Sequence, residues 1–257
     1  MNNTETVVAL YTLVHKEVRR FMRIWVQTLV PPAITMTLYF VIFGSLIGSR
    51  IGEMGGFNYM QYVVPGLIMM SVITNSYANV ASSFYSHKFQ NCVEEILVSP
   101  MPSWVILFGF VIGGAVRGIL VGVLVSLLSL FFTKLHVEHI LITILVVFLT
   151  AVLFALAGFI NGVFANKFDD IAIVPTFILT PLTYLGGVFY SLDLLPEFWR
   201  MVSMANPIVY MVNAFRYGIL GVSDVDVYFS IGMIGFFVAI FTAFALWLLH
   251  RGVGIRQ

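Results

Sequence analysis

The sequence has few charged residues. Asp, Glu, Lys and Arg make up 10% of its 257 residues, whereas a typical soluble domain carries about 25%. Hydrophobic residues make up 60%, and the net charge is only +1. These values exclude an ordinary soluble domain, and no basic patch with interleaved aromatic residues indicates a nucleic-acid partner. The composition predicts a polytopic membrane protein.

The sequence also lacks a nucleotide site and a disulfide. A phosphate-binding P-loop ends in Gly-Lys followed by Ser or Thr, and every lysine here is followed by Glu, Phe or Leu. Cys92 is the single cysteine, so an internal disulfide is excluded. No grouping of ligating residues predicts a metal, and no Gly-x-Ser-x-Gly element predicts a hydrolase. We expect no catalytic residue, no metal and no cofactor in this chain.

Six apolar runs are long enough to cross a bilayer, which requires about 20 residues of helix. The first run is too long for a cleavable signal peptide and is predicted to remain as a span. The loops between the runs are short, so we expect one all-α integral membrane domain over residues 1–257. The predicted spans are residues 25–47, 62–84, 104–132, 140–164, 171–190 and 228–250.

The lysines and arginines predict the orientation, because cytosolic loops carry an excess of positive charge. With the N-terminus inside, eight of the 13 basic residues fall on the inner side and four on the outer side. The remaining one, Arg117, lies within the third span. Both termini are therefore predicted to be cytosolic.

Residues 8–24 predict an amphipathic helix that lies along the membrane surface before the first span. Its apolar positions recur at helical spacing, and its basic residues occupy the opposite side. One interpretation is an anchor that sets the topology, and the other is an elbow helix that also contacts a cytosolic partner. The apolar positions are Leu10, Val14, Val18, Met22 and Trp25, and the basic ones are Lys16, Arg19, Arg20 and Arg23.

The longest cytosolic loop, residues 85–103, contains a short amphipathic helix whose shape suits a groove of another protein. Glu94 and Glu95 lie beside its apolar face, and Ser99 with Pro100 ends it. The alternative is a helix that rests on the membrane surface with its carboxylates in water. The apolar face is formed by Phe89, Cys92, Val93, Ile96 and Leu97.

The third span combines a stripe of small residues with a charge. Gly114, Gly118 and Gly122 recur at intervals of four, which permits close helix contact. Arg117 lies beside that stripe near mid-span, where a charge costs at least about 2.5–3.5 kcal/mol and must face protein or water. Its predicted partners are Glu94 or Glu95, or backbone carbonyls freed in an interrupted fifth span. A structural pairing and a functional coupling both remain open.

Residues 175–221 begin as a membrane span but are interrupted by helix-breaking residues. Apolar runs of about 10–14 residues are typical of re-entrant or interfacial segments, and residues 191–221 form two such pieces. Irregular backbone at membrane depth is tolerated inside protein or along a water-filled cavity. The segment therefore predicts part of a transport pathway or its outer gate. The interrupting residues are Pro175, Pro181, Gly186 and Gly187.

The second of these pieces has its own start and stop signals. Asn206 is predicted as the N-cap, Pro207 as the first helical residue and Gly221 as the residue just past the end. With the N-terminus inside, this piece lies on the outer face. We assign the outer gate to Asn206, Pro207, Tyr210 and Arg216.

Five stretches together resemble the ABC type-2 export permeases, over nearly the whole chain. The resemblance implies a half-transporter of the bacterial inner membrane that pairs with a second copy of itself. It also implies docking on a separate ATP-binding cassette protein, which binds ATP and Mg. The stretches are RFMRIWVQTLVPPAITMTLYFVIFG, YVVPGLIMMSVITNSYANVASSF, EEILVSP, FDDIAIVPTFILTPLTYLGGVFYSLDLLP and NPIVYMVNAFRYGILG.

The same resemblance implies roles for three segments. The loop around Glu94 and Glu95 corresponds to a coupling helix seated in a cleft of the ATPase. The N-terminal amphipathic helix corresponds to the elbow helix, and residues 194–220 correspond to short outer re-entrant helices. Substrates in the wider family are lipid-linked polysaccharides, lipo-oligosaccharides and amphipathic drugs.

The predicted function is therefore the membrane subunit of an ATP-driven exporter of an amphipathic or lipid-linked substrate. The 24 phenylalanines and the scarcity of polar groups in the spans favour apolar and aromatic pathway walls. An ATP-independent carrier or channel is the first alternative, but ion coupling normally requires carboxylates within the spans. A membrane scaffold is the second alternative, and an interrupted span has no use in a scaffold.

Overall fold

The computed structural model describes residues 2–254, without the side chains of Ser45, Ser49, Glu94, Ile96 and Leu97. Most of this part of the chain is helical. The helices are α1 Asn3–Arg23, α2 Trp25–Val41, α3 Gly48–Ile51, α4 Tyr59–Phe89, α5 Cys92–Val98, α6 Ser103–Ser129, α7 Ile140–Phe164, α8 Phe168–Val174, α9 Thr180–Tyr184, α10 Glu197–Met204, α11 Pro207–Leu220 and α12 Val227–Arg251. The other elements are π-helical segments Ile42–Ile47 and Pro175–Leu179, a 3-10 turn Leu192–Leu194, and an antiparallel hairpin of β1 Glu53–Met54 and β2 Phe57–Asn58.

Five helices in the described residues are long and apolar enough to cross a membrane. They are the run Trp25–Gly44, which contains α2, and the helices α4, α6, α7 and α12. The predicted fifth span, residues 171–190, is not among them. It consists of α8, a π-helical segment and α9, which follow one another without a gap and end at Tyr184. The architecture is that of an all-α membrane protein.

The prolines of this segment do not end the helical run. Pro175 has no N–H to donate to the carbonyl of Ile171, and the Asn161 side chain of α7 donates to that carbonyl instead, at 3.2 Å. Pro181 is the second residue of α9, where a missing N–H costs little. The helical run ends at Tyr184, and the chain then turns at the glycine pair 186–187, where Gly187 has φ +70°.

α4 is the central helix, and most of its 31 residues are buried. α6 and α7 pack against it through glycines. Gly114 of α6 faces Val80 of α4, Gly118 faces Ser76, and both approaches leave no room for a Cβ without movement. The predicted close-contact role of the glycine stripe, which includes Gly122, is confirmed.

A methyl group at Gly158 is expected to force α7 away from α4. Its Cβ would lie 2.3 Å from the backbone carbonyl oxygen of Tyr77, which has no free rotation with which to move aside. Overpacking of this kind costs about 1–3 kcal/mol. We expect Gly158→Ala to lower the melting temperature of the purified protein, measured by size-exclusion chromatography after heating. Gly235→Ala on α12 is the matched control, because its Cβ meets nothing within 4 Å; equal melting temperatures would contradict the prediction.

α1 packs against α6 with a face that the apolar pattern did not single out. Leu13, Glu17 and Phe21 are its buried residues, and they recur every fourth residue, so they form one stripe. Gly109 and Gly113 of α6 lie directly under Leu13 and Glu17. The fit of a stripe to a glycine-lined surface, rather than its hydrophobicity, therefore selects this face.

The ends of α4, α7 and α8 are joined by side chains that satisfy free backbone groups. Lys88 of α4 donates to the carbonyls of Val163 and Ala165 at the end of α7, at 2.8 and 2.9 Å. At the start of α8, the N–H groups of Asn166 and Lys167 donate to the Asp170 carboxylate. These two donors hold the pKa of Asp170 below its usual range. The turn between α7 and α8 is thus a fixed corner.

Candidate functional site

α5 lies at the end of α4 that the positive-charge count assigns to the cytosol. Asn91 adopts the left-handed conformation, with φ 57°, and so redirects the chain from α4 into α5. Val93 is buried against the bundle, whereas Glu95 and Val98 are exposed, and Pro100 follows the helix on the surface. The side chains of the predicted docking residues Glu94, Ile96 and Leu97 lie outside the described part. The described residues of α5 thus form one buried side, at Val93, and one solvent-exposed side.

A cluster of polar side chains lies between α1, α4 and α6. Glu17 is fully buried and accepts hydrogen bonds from the Ser83 hydroxyl at 2.6 Å and from Arg20 Nε at 3.3 Å. Arg20 Nη2 also donates to the side-chain oxygen of Asn79 at 3.0 Å. Because the three elements are tied by charged hydrogen bonds, α1 is fixed to the bundle by more than apolar packing. We call this set the inner polar cluster: Glu17, Arg20, Asn75, Asn79, Ser83 and Arg117.

Arg117 finds its partners on α4. Its two Nη atoms donate to the side-chain oxygens of Asn75 and Asn79, at 3.4 and 3.5 Å. Among the described residues, these amides stand in place of the predicted Glu95 carboxylate or the carbonyls freed in the fifth span, and the side chain of the other predicted partner, Glu94, lies outside the described part. The reason is that the glycine stripe brings α4, and not α5 or α8, against this part of α6.

A groove of about 380 Å³ opens between α2 and α4, beside the inner polar cluster. Gln27 and Thr35 of α2, Thr74 and Asn75 of α4, and Arg117 of α6 are among its lining residues. Met36, Tyr39 and Met70 line it as well, so the predicted apolar and aromatic walls describe this space in part, with polar side chains among them. We call it the α2–α4 groove.

Between residues 62 and 86, α4 is covered on every side except the one that faces this groove. The uncovered residues are exposed or half-buried and recur every fourth position, so they form one stripe along the helix. Three of them carry hydroxyl groups, and none of the five carries a charge. The stripe consists of Met70, Thr74, Ala78, Ser82 and Ser86.

A separate cavity of about 490 Å³ lies between α7, α9, α11 and α12. Its walls are almost wholly apolar, and they include Phe154, Phe237, Phe241 and Phe244. This space resembles the aromatic lining that the composition favoured. Pro207, one of the predicted gate residues, also lines it.

Arg216 is fully buried and joins three parts of the chain. It donates to the carbonyl of Gly187 at 2.6 Å, to the carbonyl of Tyr62 on α4 at 3.3 Å, and to the side chain of Asn213 at 3.4 Å. Its guanidinium also lies 4.0 Å from the centre of the Tyr62 ring. The Tyr62 hydroxyl in turn donates to Asp224 at 3.3 Å. We call these residues the outer cluster, after the side to which the positive-charge count assigns them. They hold α11 and the turn after α9 against the start of α4.

Asn206 performs two tasks at the start of α11. Its side-chain oxygen accepts from the N–H of Ile208 at 3.0 Å, and its amide donates to the carbonyl of Leu182 in α9. The predicted N-cap, the proline at the first helical position and Gly221 at the end of α11 are confirmed. Tyr210 donates to the carbonyl of Met204, which closes the turn between α10 and α11.

The comparison with known proteins decides the family. Residues 8–220 match the family described as ABC-2 type transporter. The chain belongs to that family. Members are transmembrane transport subunits and are not themselves enzymes. The matched region contains the inner polar cluster, the α2–α4 groove, α5 and the outer cluster up to the end of α11, and it stops before α12.

Two relatives illustrate the range of similarity of this ABC-2 transporter chain. It is 61% identical over 250 residues to the inner membrane transport permease YadH of Escherichia coli (strain K12), which covers 97% of this chain and 98% of that protein. It is 21% identical over 215 residues to nodulation protein J of Rhizobium leguminosarum bv. viciae, which covers 83% of each. The predicted resemblance is confirmed over nearly the whole length.

Sequence reasoning missed most of the inner polar cluster of this ABC-2 chain. Glu17 was counted neither as apolar nor as basic, so neither pattern on α1 included it. The sequence did contain a signal for this face, because Leu13, Glu17 and Phe21 recur every fourth residue and so lie on one side of the helix. Asn75 and Asn79 show the same spacing on α4, where amides are uncommon within a span.

Proposed function

We propose that the chain is the transmembrane subunit of an ATP-driven exporter in the bacterial inner membrane. Its substrate is an amphipathic or lipid-linked molecule of the drug, lipid or glycolipid class. The observation that carries this proposal is a chain of the ABC-2 family whose 257 residues contain no P-loop. The energy must then come from a second polypeptide that binds ATP and Mg.

The proposed topology has six spans in one domain, with both termini in the cytosol. Residues 171–190 are the fifth span in this arrangement, and the helical run Phe168–Tyr184, which continues through both prolines, supports it. α1 is the interfacial elbow helix, and α10 with α11 forms the outer re-entrant pair. The tight fit of α1 to Gly109 and Gly113 supports a fixed elbow rather than a free anchor.

α5 is the proposed coupling helix. An ATPase cleft can receive it because Glu95 and Val98 project outward from the anchored Val93. The predicted docking set of Glu94, Glu95, Ile96, Leu97 and Pro100 is kept. Movement of the ATPase would reach the bundle through α4, which leads directly into α5.

The working form is a homodimer in this proposal. α2 and α12 each bury only 17% of their most apolar 18-residue window in their own chain. The α2–α4 groove is likewise open on one side, so a second copy would enclose it as part of a central pathway. The remaining exposed apolar surface faces lipid.

The outer gate is assigned to Asn206, Pro207, Tyr210 and Arg216, as the sequence predicted. The contacts of Asn206 with α9 and of Arg216 with α4 support this assignment, because they connect the outer segment to two pathway helices. When the gate opens, some of these hydrogen bonds would be replaced by others, and the chain would bend at the glycine pair 186–187.

The test is purification of the tagged chain from native membranes, followed by identification of co-purifying proteins. We expect a P-loop ATPase in stoichiometric amount, and ATP-dependent movement of a fluorescent lipid in vesicles that contain both chains. The control is the same preparation with the P-loop lysine of the ATPase changed to alanine. Uphill transport by the permease without any ATPase would overturn the proposal.

One observation favours the ATP-independent carrier or channel. Glu17 is a buried carboxylate, and in the described residues its Oε1 has no hydrogen-bond partner. Ion-coupled carriers use carboxylates buried in the membrane domain. Transport that follows an imposed pH gradient in vesicles with the permease alone, and that Glu17→Gln abolishes, would establish this alternative.

A further inference from the structure

The inner polar cluster carries more positive than negative charge. Within the described residues it has one carboxylate, Glu17, which is already bonded to Arg20 and Ser83. The ion pairs found among those residues are Arg20–Glu17 and Arg200–Asp193. Arg117 therefore lies inside the membrane domain with neutral amides as its partners. A charge in such a place is stabilised by an opposite charge, which a ligand can bring.

Arg117 also has donors to spare. A guanidinium carries five N–H donors in a planar fork, and the two bonds to Asn75 and Asn79 are long, at 3.4 and 3.5 Å. A charge-assisted bond to an anion is about 2.7–2.9 Å. The Nε of Arg117 has no partner among the described residues. The side chain lines the α2–α4 groove, where a bidentate anion can reach it.

The opposite wall of the groove offers acceptors. Pro31 and Pro32 of α2 line it, and neither has an N–H to donate to the carbonyls of Gln27 and Thr28. The exposed Thr74 hydroxyl adds a further oxygen on α4. The groove therefore combines the cationic donors of Arg117 with oxygen acceptors on α2 and α4.

The depth of the site corresponds to the inner leaflet. Asn79 accepts from both Arg20 and Arg117, so the two guanidiniums lie within one side chain of each other. Asn79 precedes Phe89, the last residue of α4, by ten residues, which is about 15 Å of helix. With α1 as an interfacial helix, Arg20 lies at the level of the inner headgroups, and Arg117 lies deeper by the width of the shared Asn79 side chain, between those headgroups and mid-span.

We propose that the α2–α4 groove binds the phosphate headgroup of an anionic amphiphile from the inner leaflet, with Arg117 as the residue that contacts the phosphate. Asn75 orients the guanidinium, and Arg20 adds to the positive potential. This inference rests on the proposed function in one respect, since it assigns the groove to the substrate of the exporter. The binding itself requires neither ATP nor a partner.

The test measures lipid binding to the purified full-length chain by native mass spectrometry, without any ATPase. The probes are dioleoyl phosphatidic acid and dioleoyl phosphatidylcholine. We expect a preference for phosphatidic acid that falls about tenfold in Arg117→Gln, equivalent to about 1.4 kcal/mol. Arg19→Gln is the matched control, because it removes the same charge from an exposed residue of α1 and should keep the preference.

A second variant covers the case in which Arg117→Gln does not fold. Asn75→Asp supplies an internal anion to Arg117, so it should abolish the preference while it preserves or raises the melting temperature. Added inorganic phosphate distinguishes the source of the ligand: competition indicates a free phosphate, and its absence indicates a lipid headgroup. The inference is overturned if both variants keep the preference, or if Arg19→Gln loses it equally. If the permease fails to co-purify with an ATPase, the proposed function fails, but the lipid-binding result is unaffected.

Discussion

Charge reversal at Glu94 and Glu95 together is expected to release the ATPase from the permease. Glu95 is exposed on α5, a helix whose base is anchored by the buried Val93. Loss of a charge pair that is buried in an interface costs about 2–5 kcal/mol, and two lysines would add repulsion to that loss. In a homodimer both docking sites are affected. Co-purification of the ATPase with Glu94→Lys, Glu95→Lys permease should fall to background.

The same preparation must show that the permease itself is intact. We expect the double variant to insert, to elute at the same volume as the parent and to melt at the same temperature, because the exposed Glu95 side chain faces away from the bundle. Glu197→Lys is the control, since it reverses an exposed carboxylate in the first turn of α10, on the proposed outer face. Unchanged ATPase recovery with the double variant would remove docking from these residues.

Arg216→Met is expected to be the most damaging single substitution in the outer part of the molecule. The side chain is fully buried, and its removal takes a donor away from the carbonyls of Gly187 and Tyr62 and from the side-chain oxygen of Asn213. A buried polar group that loses its hydrogen-bond partner costs about 1–3 kcal/mol, and more than one such group is affected here. Because native proteins are marginally stable, we expect little monodisperse protein and a much lower melting temperature.

Two further substitutions show that this effect comes from the hydrogen bonds and not from charge. Arg216→Lys keeps the charge but has no planar fork, so an intermediate melting temperature is expected. Arg200→Met breaks the exposed ion pair with Asp193, which is worth about 0–1 kcal/mol, and should have almost no effect. If Arg216→Met melts with the parent, α11 is held by contacts other than those of the outer cluster.

Local features were predictable because they depend on neighbouring residues. The N-cap Asn206, the following proline and the terminal Gly221 define α11 without reference to any other helix. The glycine stripe of α6 was also readable, since spacing alone marks a close-contact face. The partners of Arg117 were not readable. They depend on the register of α4 against α6, and a shift of one residue would turn Asn75 and Asn79 away.

The prolines of the fifth predicted span illustrate the same difference between what neighbouring residues determine and what helix packing determines. Pro175 is a helix breaker by its covalent structure, but Asn161 of α7 satisfies the carbonyl that it frees, so the helical run continues. Likewise, the buried role of Glu17 depends on Gly109 and Gly113, which lie on a different helix.

From the amino-acid order alone follow the membrane class, the ABC-2 family, most of the apolar helices and the ends of α11, because each depends on composition or on residues close in the chain. The packing of the helices decided the rest: which face of α1 is buried, which amides bind Arg117 and Arg216, and where a groove opens beside Arg117. Such contacts join residues that lie tens of positions apart, and only the packing of side chains between helices determines which of them meet.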